Sequence, residues 1–104
     1  MMTIQELYTQ LNTSGLPVAY DHFPAENCPN PPFVVFREIG TNNFGADDKV
    51  RAKIKRMEIE LVTIGKNQQA EEALEGALDF TFWNQTESYA EDEQVWSTFY
   101  SIEI

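Results

Sequence analysis

The chain reads as a single α+β domain: one mixed or antiparallel β-sheet with two helices packed on one face. Three observations predict it. Apolar residues alternate with charged ones along Lys49–Thr63, the period-two pattern of a strand with one buried face. Two other stretches, Ile4–Asn12 and Gln68–Asp79, repeat apolar residues at helical spacing. The order helix, strand, hairpin, helix, hairpin lets both helices lie on one sheet. With 104 residues there is room for one domain, residues 1–104, and 42% hydrophobic residues can supply its core.

The first helix starts at a capping box, Thr3-Ile4-Gln5-Glu6, with Thr3 as N-cap and Glu6 reaching back. Ile4, Leu7, Tyr8 and Leu11 form its stripe, and Gly15 is placed to end it. Val18 and Tyr20 suggest a short strand within Pro17–Asp21. His22–Pro32 holds four of the five prolines and reads as a loop. Phe33–Glu38 is an apolar run and the expected innermost strand. Ile39–Asp48 is rich in turn formers and joins that strand to the next as a long hairpin.

Lys49–Thr63 is the organising strand. Val50, Ala52 and Ile54 alternate with Arg51, Lys53 and Lys55; Met57, Ile59 and Leu61 then alternate with Glu58 and Glu60. The phase slips by one residue at Lys55-Arg56, where a β-bulge would keep both halves facing one core. Two short strands with a kink between them are the alternative. Gln68–Asp79 follows, opened by Lys66-Asn67, with Ala70, Ala73, Leu74, Ala77 and Leu78 inward and Glu71, Glu72 and Glu75 outward. One short strand lies within Phe80–Ser88, and Ala90–Glu93 is an acidic turn. Gln94–Glu103 closes the sheet, with Trp96, Thr98, Tyr100, Ile102 and Ile104 on one face. Ile54, Ile59, Leu61, Leu74, Phe36 and Trp96 are the expected core.

Composition excludes several classes. A net charge of −10 is wrong for wrapping nucleic acid, which needs Lys and Arg on phosphates. No apolar run approaches a membrane span, and the N-terminus shows no basic and apolar signal pattern, so a soluble, intracellularly made domain is expected. The single cysteine, Cys28, rules out an internal disulfide and a Cys-based zinc site. The single histidine, His22, leaves a His-based triad or metal site short of partners. No phosphate-binding glycine pattern occurs, and Asp47-Asp48 do not match a calcium loop. No enzyme, cofactor or metal is expected.

What remains is a surface for other proteins. Five of the seven basic residues lie between Lys49 and Arg56, whereas Met57–Ile104 holds eleven acids and the single base Lys66. Phe44, beside Asn43, is an isolated aromatic in a polar loop. It either plugs its own core or projects towards a partner.

The runs Pro31-Pro32-Phe33-Val34-Val35-Phe36, Asn42-Asn43-Phe44-Gly45-Ala46-Asp47 and Ile54–Leu61, with the ending Phe99–Ile104, resemble a family of small prophage minor capsid or tail proteins. These are similar to the tail terminators of long-tailed bacteriophages. Arg51, where that pattern has an aromatic, and the segment 80–89 depart from it. The resemblance implies a homo-oligomeric ring, usually a hexamer, on the head-proximal end of the tail tube. The ring stops tube growth and receives the head. Its partners would be the tail tube protein and a head-completion or connector protein, in a virion built in the bacterial cytoplasm. A head-completion protein and a stand-alone acidic binding domain are the alternatives. In a ring, Arg51, Lys53 and Lys55 of one copy would face Glu71, Glu72, Glu75 or the 91–93 acids of the next. Pairing of the same stripe with Glu38 or Asp48 within its own sheet is the competing expectation.

Overall fold

The structure, a computed structural model, describes residues 2–46, 49–90 and 94–104, with the backbone alone at 44, 46, 51, 52 and 90. A mixed five-stranded sheet carries two helices on one face, as the α+β reading expects. Its strands are β1 (Val18–Tyr20), β2 (Phe33–Thr41), β5 (Lys55–Ile64), β7 (Val95–Glu103) and β6 (Asn84–Ala90), in that spatial order. Two further strands, β3 (Phe44–Ala46) and β4 (Lys49–Ala52), pair with each other outside it.

Helix α1 (Ile4–Asn12) begins at the expected capping box: Glu6 N–H donates to Thr3 Oγ1 and Thr3 N–H donates to Glu6 Oε1, each at 3.0 Å. It ends at Thr13, and Gly15, at φ +81°, turns the chain in the left-handed region open to glycine. β1 then runs parallel to β2. A parallel pair needs a crossover of about a dozen residues, and the proline-rich loop from 21 to 32 supplies it. Helix α2 (Gln68–Ala77), capped by Asn67 Oδ1 on Ala70 N–H at 3.0 Å, stops short of Asp79.

Both helices face the same side chains. Leu7 and Leu11 of α1 and Ala70 and Leu74 of α2 pack with Leu78 against Val34, Phe36, Met57, Ile59, Leu61, Tyr100 and Ile102. Phe36, Ile59, Leu61 and Leu74 are fully buried. Ile54 and Trp96 are only half-buried, for positional reasons. Ile54 lies ahead of β5, beyond the reach of the helices. Trp96 lies towards the other end of the sheet, opposite Tyr89 and Thr63. The opposite sheet face carries no helix. There Arg37 Nη1 donates to Glu58 Oε1 at 2.8 Å, and Ser97 Oγ donates to Glu60 Oε2 at 3.0 Å.

Lys49–Thr63 is two strands, not one. β5 lies between β2 and β7, whereas β4 pairs only with β3. The register break falls on the partner strand instead of at Lys55-Arg56: Glu38 opposes Met57 and Gly40 opposes Arg56, leaving Ile39 as the extra residue. Gly40 has φ +154°, which a side chain would strain. Most of the expected Ile39–Asp48 loop is therefore strand, and the hairpin is longer than its composition suggests.

Leu61 tests the phase of β5. It is fully buried, so Leu61→Ala is expected to cost about 2–5 kcal/mol in chemical denaturation. A loss below about 1 kcal/mol would place it outside the core.

Candidate functional site

Two features lie beyond the core: a projecting arm and a polar cluster under α2. The arm is the far end of the β2–β5 hairpin. At its base Lys55 and Ile104 exchange backbone hydrogen bonds of 2.9 Å, closing the last rung between β5 and the C-terminus. Asn42 N–H donates to Ile54 carbonyl at 2.8 Å, and Asn42 Nδ2 donates to Glu103 Oε2 at 2.9 Å. Beyond this clasp β3 and β4 continue as a ribbon with no neighbour on either side among the described residues. The chain measures 50 × 27 × 25 Å with a radius of gyration of 14.9 Å. A compact domain of this length has roughly 13 Å, and a projecting arm accounts for the excess.

The arm holds several of the expected interaction residues. Asn43 is exposed between β2 and β3. Phe44 opens β3 opposite Ala52 and is not at the loop tip; its side chain lies outside the described residues. Arg51 is in β4, and its side chain too lies outside them. Lys53 is exposed between the strands, and Lys55 is half-buried as the first residue of β5. The three cations therefore do not share one ladder. Neither Lys53 nor Lys55 lies within ion-pair distance of Glu38 among the described residues, and Asp48 is outside them.

The acidic side departs from expectation. Of Glu71, Glu72 and Glu75, only Glu72 is exposed. Glu71 is buried, and its Oε1 accepts from Lys66 Nζ and from Gln85 Nε2, each at 3.1 Å. Glu75 Oε2 accepts from the buried Tyr100 hydroxyl at 2.7 Å. Gln85 Nε2 lies 3.2 Å from the same hydroxyl, and Lys66 also pairs with Glu87. The Lys66 ammonium stands 5.7 Å from the centre of the Trp96 ring, within cation–π range. A signal for Glu71 exists in the sequence: it precedes Leu74 and Leu78 by three and seven positions, on the helix face those leucines bury. Glu91, Asp92 and Glu93 lie outside the described residues.

This cluster ties α2 to the β6–β7 hairpin. Burial raises the Tyr100 hydroxyl well above its ordinary value, and the Glu75 carboxylate adds to the shift. The hydrogen bond with Glu87 raises Lys66 in the same direction.

Other groups are dispersed. His22 Nδ1 meets Asp21 Oδ2 at 2.9 Å on the surface, and Cys28 is exposed. Among the described residues, no three His, Cys, Asp or Glu side chains gather as metal ligands would. A shallow depression between α1 and α2, lined by Ser14, Leu16, Pro32, Asn67, Gln69 and Ala73, has no titratable side chain. No helix among the described residues is long and apolar enough to cross a membrane. No family model matches the chain, and no curated protein matches it.

The cluster makes stability sensitive to alkali. Tyr100 holds its proton more tightly when folded than when unfolded. Its contribution is complete below the unfolded value of about 10 and is lost as pH rises past it. Lys66, raised likewise, acts in the same sense. Tyr100→Phe is expected to cost about 1–3 kcal/mol at neutral pH and to flatten the fall in melting temperature between pH 9 and 11. An unchanged alkaline slope would show that Tyr100 does not drive it.

Proposed function

We propose that this chain is a bacteriophage structural protein, a tail terminator that forms a ring on the head-proximal end of the tail tube. The resemblance of residues 31–36, 42–47 and 54–61 to that family names the role. The projecting β3–β4 arm is the observation that carries it. A ring needs heterologous contacts, in which one surface of each copy meets a different surface of the next. A ribbon that extends past its own sheet and carries cations on β4, on an otherwise acidic domain, is such a surface. The arm replaces the outer face of α2 as the main docking element, because Glu71 and Glu75 are engaged within their own chain.

On this reading the protein performs no reaction. It acts by closing a polymer end and by presenting a rim to the head-completion protein. His22 and Cys28 are exposed and linked to no catalytic partner among the described residues, so His22→Ala and Cys28→Ser should assemble like the parent.

The decisive experiment adds purified chain to its tail tube protein during polymerisation. Electron microscopy should show tubes of arrested length bearing a ring at one end. Tubes that grow unchecked, with no added density at either end, would overturn the reading; a stand-alone binding domain would give that result.

Salt supplies a second test. Exposed ion pairs contribute about 0–1 kcal/mol each and are screened by salt, so the ring should loosen as ionic strength rises. Reversing Arg51, Lys53 and Lys55 to glutamate should weaken association most at low salt, measured by light scattering. Equal association of the triple variant and the parent at both salts would remove charge from the contact.

A further inference from the structure

We infer that the free edge of β4 in one copy pairs, as an added strand, with the free edge of β6 in a second copy. The inference deepens the ring reading and rests on it for the head-to-tail sense of the contact.

Among the described residues β6 ends the sheet and pairs only with β7, over its whole length from Asn84–Ser101 to Ala90–Val95. Its other edge presents unpaired backbone donors and acceptors. Side chains at Asn84–Tyr89 are all exposed. Natural edge strands of this length are usually blunted by lysine, proline or a bulge. NQTESYA has none of these residues, and its register runs without a break. The opposite edge, β1, is three residues long and starts directly after Pro17. The sheet is thus protected at one end and open at the other.

β4 is the complementary element. A two-stranded ribbon is marginal alone in water and gains most from a third strand. Among the described residues β4 pairs with β3 and with no strand on its outer edge, so the backbone groups there lack strand partners. Lys49, Val50 and Lys53 are exposed.

Charge selects a second copy as the occupant. A net charge of −10 with +5 in residues 49–56 leaves −15 on the rest of the chain. The arm therefore meets opposite charge on its own kind, and β6 itself contributes no cation, its Glu87 being shared with Lys66 of the same chain. Strand addition supplies main-chain hydrogen bonds, and the charges set the approach. Because the arm and β6 are different surfaces, the contact propagates from copy to copy.

Hydrogen exchange reads this contact directly. In isolated chains about half of the β6 amides, those turned to β7, should be protected. In the assembled species the alternate amides of β6 and those on the outer edge of β4 should become protected as well. Thr86 and Ser88 lie on the helix-free face, so Thr86→Lys with Ser88→Lys places cations beside the edge without entering the core. That variant should keep the parent's melting temperature and lose association at least tenfold. Adding Lys49→Glu and Lys53→Glu to it should restore association. Cysteines placed at Val50 of β4 and Ser88 of β6 in a Cys28→Ser background should also cross-link neighbouring copies.

If rings form, yet the lysine variant assembles normally and the edge amides exchange freely, this contact is wrong and the ring reading stands. If copies associate through the edges but leave tail tubes unaffected, the ring reading fails and the contact stands. A parent chain that remains monomeric at every concentration overturns the contact.

Discussion

The rung between Lys55 and Ile104 sets the architecture of this protein. Two backbone hydrogen bonds of 2.9 Å join the start of β5 to Ile104, the residue after β7, and the five-stranded sheet ends there. The β2–β5 hairpin does not end with it. Asn42 bridges to Ile54 and Glu103 at the same level, so the clasp fixes where the ribbon departs. On the sheet side of that line the strands are sandwiched by neighbours and covered by helices. On the far side they have each other alone. Moving the rung along β5 by two residues would lengthen or shorten the arm without changing the face that any side chain occupies.

The middle of β7 is held by a different chemistry. Apolar contact between α2 and the sheet gives way there to a polar network of Glu71, Glu75, Gln85, Tyr100 and Lys66. A buried carboxylate is costly unless charge and hydrogen bonds compensate it. Lys66, the only base after Arg56, provides both for Glu71 while bridging to Glu87 on β6. Replacing Glu71 alone would leave Lys66 and Gln85 short of an acceptor. The network therefore specifies how α2 is seated over β6–β7, more than it adds stability. It also withdraws two acids from the surface, which shifts the burden of recognition to the arm.

The sequence carried most of the fold because its periodicities were clean where one face is buried. α1, with its Thr3–Glu6 capping box, has the expected bounds, β7 lies where the alternation placed it, and β2 starts at the expected Phe33 but runs three residues further, to Thr41. The phase slip near Lys55-Arg56 reflects the break between β4 and β5 at Lys53-Ile54, which alternation alone reads as a bulge; the extra residue in the ladder is Ile39 on the partner strand, beside Gly40. The Ile39–Asp48 composition of Gly, Asn and Asp resembles a loop even where the backbone is laddered, since an exposed ribbon needs no apolar face. Glu71 was assigned to solvent by its charge, although its spacing from Leu74 and Leu78 places it inward. Trp96 was placed inward by its alternation with Thr98, Tyr100 and Ile102, yet it is only half-buried, near the end of the strand beside Tyr89.

The distribution of charge follows from the same geometry. A strand within the sheet must alternate, because one face meets the helices; Glu58 and Glu60 accordingly turn to the open face and meet Arg37. The arm has no buried face to serve, so its residues are free to be selected for contact with other chains. The arm places Lys49, Arg51 and Lys53 there, and Lys55 and Arg56 follow at its base in β5. Cations on an unpaired ribbon have a second effect: two arms repel, so the ribbon cannot pair with its own counterpart in a symmetric dimer. An edge that rejects itself and attracts an acidic sheet edge favours a directional contact. Whether such a contact closes into a ring depends on the rotation between copies, and a stiff clasp at Lys55 and Asn42 is what would hold that rotation constant.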